Sequence, residues 1–128
     1  MENRISEEHT RTVALLSEMG MERLANSCVA IFGIGGVGGH LAEALARAGI
    51  GHLILVDRDT VSLSNINRQA VALHSTIGQP KVEVMRARIA DINPDCRVVA
   101  HQVFYLPENA EQFDLSQYDY IVDAIDTV

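Results

Sequence analysis

The sequence predicts an α/β fold, with helices layered on a mostly parallel sheet in three layers. Three observations carry this. CVAIF (Cys28–Phe32) and HLILVD (residues 52–57) are short, continuous apolar runs, as expected of strands buried on both faces. Between them, Gly36–Ala48 is rich in alanine and leucine and is closed by Gly49, a helix with its C-cap. Strand, helix and strand within roughly 30 residues form a right-handed crossover, so the two strands should run parallel.

The elements follow in order. Residues 1–10 are polar and read as a flexible N-terminal segment. In residues 11–25, RTVALLSEMGMERLA, Val13, Leu16, Met21 and Leu24 lie near helical spacing with Gly20 between them. This predicts two short helical turns or one broken helix. After the second strand comes RDTVSLSNINRQAVALHSTIG, polar and without clear periodicity, with a short helical turn expected over residues 68–73. A connection of this length inside a compact α/β unit is usually functional.

Pro80 opens a helix whose apolar stripe is Val82, Met85, Ile89 and Ile92, and Asn93-Pro94 ends it. CRVVAHQV is a third strand, LPENAEQFDLSQY a surface turn with a short helix, and DYIVDAID a fourth strand ending in a carboxylate. The sequence stops at Thr127-Val128, just past that strand, which would leave a hydrophobic sheet edge. The expectation is a fold truncated after the fourth strand, a fragment or a chain that needs a partner.

Composition bounds the function. The 128 residues are 48% hydrophobic and 21% charged, with a net charge of −7, so the surface offers no general attraction to nucleic acid, although a local basic patch stays open. No run of about 18 apolar residues appears, and MENRISEEHTRT is too polar for a signal peptide, so no membrane role and a cytoplasmic location are expected. Cys28 and Cys96 read as reduced core thiols. His9, His40, His52, His74 and His101 show no metal-ligand spacing and there is no CxxC, so no zinc is expected.

The chemistry starts at Gly33-Ile34-Gly35-Gly36-Val37-Gly38, which fits G-x-G-x-x-G in the strand–turn–helix setting of a Rossmann-like fold. Gly33 permits the tight turn, Gly35 lets backbone N–H groups approach a phosphate, and Gly38 lets the helix pack on the strand. The helix dipole favours an anion at the same place. Asp57, 19 residues after Gly38, is placed to accept from ribose hydroxyls. NAD and ATP both satisfy these features, and a turn that serves packing alone would read the same.

The long connection discriminates. Asn65, Arg68 and Gln69 in SNINRQ, with Lys81 in GQPK, add two amides and two cations near the carboxyl edge of the sheet. Such cations suit a triphosphate and the charge that develops in displacement at phosphorus. Lys81 stands in the first turn of its helix, where a cation opposes the dipole, which points to an external anion. Asp123 and Asp126 end the fourth strand; Asp126, further out, is the candidate Mg²⁺ ligand, with a helix N-cap as its alternative.

Together, GIGGVGG, LVDRDTVSLSNINRQ, GQPK, INP and VDAIDTV resemble, in order and spacing, the adenylation domain of the ubiquitin-activating-enzyme-like (ThiF/MoeB/HesA) superfamily. The match runs from about Arg11 to Val128, making residues 11–128 the N-terminal part of an ATP-binding adenylation domain. The resemblance implies an ATP- and Mg²⁺-dependent enzyme that activates a carboxylate as an acyl-adenylate and releases pyrophosphate. By that resemblance Gly33, Gly35, Gly36 and Gly38 form the phosphate turn, Asp57 binds ribose, Asn65, Arg68 and Lys81 serve the triphosphate, and Asp126 serves Mg²⁺. Arg11 resembles the arginine that reaches the neighbouring protomer's ATP site, which implies a homodimer.

Within the superfamily, SNINRQ and VDAIDTV look closer to the tRNA threonylcarbamoyladenosine dehydratase branch than to the sulfur-carrier branch, whose substrate is a ubiquitin-like protein. An NAD-binding regulatory module is the reading from a different class.

Overall fold

In a computed structural model, the described residues are 10–104, 111 and 113–125, with side chains from residue 18 onward. Four strands form one parallel sheet, β1 (Cys28–Phe32), β2 (His52–Val56), β3 (Arg97–His101) and β4 (Tyr120–Asp123), in the order β3-β2-β1-β4. The α/β fold with its parallel sheet is as the apolar runs indicated. β1 and β2 are buried along nearly their whole length, which is why neither alternates apolar with polar residues.

Helix α2 (Gly36–Ala48) is the crossover between β1 and β2, and α3 (Lys81–Ile92) leads into β3. Both pack on one face of the sheet, where Val29, Ile31, Leu53 and Leu55 meet Ala42 and Ala46 of α2 and Val82, Met85 and Ile89 of α3. Gly49 closes α2 in the left-handed region at φ 105°, its N–H returning to Leu45 O and Ala46 O. Asn93, in the INP stretch, is buried and donates from Nδ2 to Ala46 O and Ile50 O, so the end of α3 is fastened to the end of α2. On the opposite face, Ala30, Phe32, Ile54 and Val56 are covered by Phe113, whose ring meets Phe32 edge-on at 5.8 Å.

Two sequence-based expectations are corrected. The first helix is continuous, α1 (Thr10–Ala25), and runs through Gly20. A helix-interior glycine costs about 1 kcal/mol relative to alanine, which good helix formers on both sides and the burial of Met21 outweigh. The helical turn expected over residues 68–73 is replaced by two 3₁₀ turns, Leu63–Asn65 and His74–Thr76. Asn65 Oδ1 accepts from Ser62 N and Oγ, while Thr76 Oγ1 accepts from Leu73 N and donates to Val71 O. Short polar side chains here take up the backbone groups that a regular helix would need.

Cys28 and Cys96 are both free. Burial pushes both thiols up, Cys96 to about 11, which fits core thiols and argues against reactive ones. At the sheet edge, Tyr120 and Ile121 of β4 are exposed. No helix among the described residues is long and apolar enough to cross a membrane.

Candidate nucleotide site

Parallel register builds the site. Phe32 pairs with Val56 and with Asp123, and Val56 with His101, so the residues that follow these strands emerge side by side at the carboxyl edge. Gly33, Asp57 and Ala124 therefore stand abreast, tied by Gly33 N donating to Val56 O and Ala124 N donating to Phe32 O, each at 2.8 Å. This edge is where ligands of open parallel sheets bind.

Two glycines are required by the turn itself. Gly33 has φ +98°, and a Cβ there would press on the Ala124 carbonyl. A Cβ on Gly38 would overlap the Gly33 carbonyl oxygen. The turn delivers the chain into α2, whose N-terminus at Gly35 has no side-chain cap and no acidic residue in its first turn. The leading N–H groups of α2 are thus left to water or to an anion.

Asp57 locks this turn onto β2. Its Oδ2 accepts from Ile34 N at 2.7 Å and its Oδ1 from Asp59 N at 2.8 Å. Each carboxylate oxygen keeps a further lone pair for a hydroxyl donor.

A cleft of about 100 Å³ brings Gly33, Gly35, Asp57, Gln69 and Lys81 together, with Val103, Phe104 and Ala124 also in its lining. Arg58, beside Asp57, lies over the Phe104 ring at 4.5 Å and flanks the same opening. Lys81 is only 6% exposed, and among the described residues no carboxylate lies within ion-pair distance of it. Its placement follows from the Thr60–Pro80 bridge and from Lys81 N donating to Asp59 O, which draw the start of α3 against the end of β2. Gln69 is 8% exposed, and its buried Oε1 has no partner among the described residues. A cleft lined by a cation with no carboxylate near it among the described residues, a buried amide oxygen without a donor and a bare helix N-terminus suits a polar, anionic occupant that also carries donors.

The remaining sequence-derived residues distribute unevenly. Gly36 opens α2, and a Cβ there would meet nothing within 4 Å. Asn65 is buried and does not line the cleft, with its Oδ1 engaged by Ser62. Arg68 is exposed and does not line the cleft; its Nη1 donates to Ser64 O and Asn67 Oδ1, both at 3.0 Å. Asp123 uses Oδ1 to accept from Ile125 N. Asp126 lies outside the described residues, and so does the side chain of Arg11, whose backbone is in α1.

Gln69 stood in the sequence as one more amide of SNINRQ, and Arg58 carried no assignment; their shared cleft follows from tertiary placement alone. His40 was one of five unassigned histidines. Its Nε2 hydrogen-bonds Arg68 O at 3.0 Å, joining α2 to the SNINRQ turn.

Sheet order, glycine turn and edge cleft define a Rossmann-like α/β domain with a phosphate-type turn at the carboxyl end of its first strand. More particularly, the chain belongs to the ThiF family, which matches residues 8–128. It is 52% identical over 121 residues to the tRNA threonylcarbamoyladenosine dehydratase of Bacillus subtilis (strain 168), covering 94% of this chain and 48% of that protein. It is 43% identical over 110 residues to the molybdopterin-synthase adenylyltransferase of Escherichia coli (strain K12), covering 85% of this chain and 43% of that one. The crystal structure of the E. coli tRNA N6-threonylcarbamoyladenosine dehydratase TcdA in complex with ATP superposes with a TM-score of 0.92 at 43% identity, over 98% of this chain and 53% of that chain. The chain thus spans about half the length of the relatives it matches.

Proposed function

We propose that the protein binds ATP in this cleft and uses it to adenylate a carboxylate. The observation that carries the reading is Lys81: a cation on a residue only 6% exposed, with no carboxylate within ion-pair distance among the described residues, lining the same space as the glycine turn and Asp57. A cation in that setting is stabilised by an anionic ligand, and the similarity to an ATP-bound relative supports a triphosphate over a dinucleotide. An NAD-binding module would leave Lys81 without a purpose, since a dinucleotide pyrophosphate is largely met by backbone N–H groups.

In the proposed reaction a substrate carboxylate oxygen forms a bond to the α-phosphorus of ATP, and the bond from that phosphorus to the bridging oxygen of the β-phosphate breaks. Pyrophosphate leaves and an acyl-adenylate remains. Asp57 orients the ribose, the α2 N-terminus and Lys81 hold phosphate oxygens and offset the charge that develops on them, and Arg68 turns from its own loop towards the leaving group. Asn65 keeps the SNINRQ turn in shape. Asp126 is the candidate to hold Mg²⁺, which would supply positive charge against the phosphates.

The substrate we favour is tRNA bearing threonylcarbamoyladenosine, whose activated carboxyl group would cyclise within its own side chain, expelling AMP for a net loss of water. The similarity to the B. subtilis dehydratase supports it over a ubiquitin-like sulfur carrier, the alternative to which the adenylyltransferase similarity points. We also propose a cytoplasmic homodimer in which Arg11 reaches the partner's cleft. ATP–pyrophosphate exchange in the intact protein, measured with modified tRNA and with a carrier ending in Gly-Gly, tests the reading. Exchange stimulated by tRNA alone is expected. Exchange stimulated by the carrier alone would replace the substrate assignment, and NAD binding without ATP binding would overturn the proposal.

A further inference from the structure

We infer that His40 is a positioning residue for Arg68, acting through its main chain; this rests on the adenylation reading above. Arg68 is the proposed phosphate contact that stands outside the cleft. Its guanidinium rests on Ser64 O and Asn67 Oδ1 inside its own loop, so engaging a phosphate requires the side chain to swing about its Cα. The precision of that swing depends on what holds the main chain at residue 68.

The hydrogen bonds among residues 60–79 run inside the connection, between Val61 and Gln79, Gly78 and Val61, Asn65 and Ser62, Gln69 and Asn65, and Thr76 and Leu73. They fix the shape of the loop, while Val61, Val71 and Ala72 seat it in the core and Gln69 lies against Gly35. The His40 ring adds a hydrogen bond from α2 to the main chain of residue 68 itself. It stands on α2 in the turn after the leading N–H groups, and its Nε2 reaches Arg68 O across 28 residues of sequence at 3.0 Å. A carbonyl oxygen only accepts, so Nε2 carries the hydrogen. The helix that would hold one end of the triphosphate thereby sets the height of the arginine that would meet the other.

His40 is exposed, and its side chain is not part of the apolar core. Its removal should leave the fold intact, and the effect should be read in Arg68. The experiment is a double-mutant cycle on ATP–pyrophosphate exchange in the intact protein, combining His40→Ala with Arg68→Ala, and adding His40→Gln, whose amide can restore a donor. Amide hydrogen exchange over residues 66–70 is followed in parallel.

The expected result is a fall in kcat of about threefold to tenfold for His40→Ala with KM for ATP nearly unchanged. His40→Gln should recover part of the loss, and His40→Ala should add nothing once Arg68 is alanine. Amides of residues 66–70 should exchange faster in His40→Ala while those of β1 and β2 do not. An equal loss in both Arg68 backgrounds, no loss in either, or a general loss of protection across the sheet would overturn the inference. If the wild-type protein shows no exchange with any carboxylate, the adenylation reading fails, and the amide measurement still reports whether His40 holds the turn.

Discussion

Asp57 Oδ2 accepts the backbone N–H of Ile34 at 2.7 Å, so the carboxylate proposed to meet the ribose also pins the glycine turn to the end of β2. The two duties can be separated. Asp57→Ala removes the acceptor for both Ile34 N and Asp59 N and should lower stability by about 2 kcal/mol, seen as a lower Tm. Asp57→Asn keeps one carbonyl oxygen and should lose less. In calorimetry, wild-type protein should prefer ATP over 2′,3′-dideoxy-ATP, and Asp57→Ala should erase that preference. An undiminished preference would remove Asp57 from the ribose site.

Gly36 and Gly38 have different neighbours, and this predicts opposite behaviour. A methyl at Gly38 overlaps the Gly33 carbonyl, so Gly38→Ala should disrupt the packing of α2 on β1 and cost several kcal/mol, about 3 or more. At Gly36 the methyl meets open space, so Gly36→Ala should leave Tm unchanged or raise it slightly. If the space outside Gly36 is where a phosphate sits, Gly36→Ala should nonetheless weaken ATP binding. Thermal melts with and without ATP measure both effects.

Lys81 separates stability from binding in the same way. Replacing it with methionine keeps most of the volume of this 6% exposed residue and removes a charge that no described carboxylate pairs. Lys81→Met should therefore match or exceed the wild type in stability without nucleotide, by up to about 1 kcal/mol. The same change should weaken ATP by tenfold or more, equivalent to about 1.4 kcal/mol. A variant less stable than wild type and unchanged in ATP affinity would mean that the ammonium serves the fold.

Most of this arrangement can be read from the sequence because it is local. CVAIF, the glycine turn, the alanine-rich helix and HLILV are neighbours in the chain, and parallel pairing follows from their order. The GQPK lysine could be assigned because Pro80 marks the start of its helix. What could not be read depends on contacts across the chain or on competition between local options. Gly20 looked like a break because the burial of Met21 is invisible in one dimension. Residues 68–73 looked helical because nothing in their spacing shows that Thr76 turns back on Val71 O. Arg68 and Lys81 both read in the sequence as phosphate cations, yet Lys81 lines the cleft and Arg68 rests on its own loop.

The pH dependence of stability should carry the signature of His52, at the start of β2. Its Nε2 is buried without a partner among the described residues, and burial first, then the nearby Arg97, hold its pKa below the ordinary 6.5. The folded state thus prefers the neutral ring, whereas the unfolded chain takes up the proton near 6.5. Between that value and the lower folded-state pKa the unfolded state binds more protons, so stability falls as the pH falls through this window and levels off beneath it. Urea midpoints measured from about pH 7.5 down to about pH 5.5 should decline in the wild type. His52→Leu, which has no proton to gain, should show a flatter profile over the same range. Parallel profiles for the two proteins would assign the pH dependence to groups other than His52.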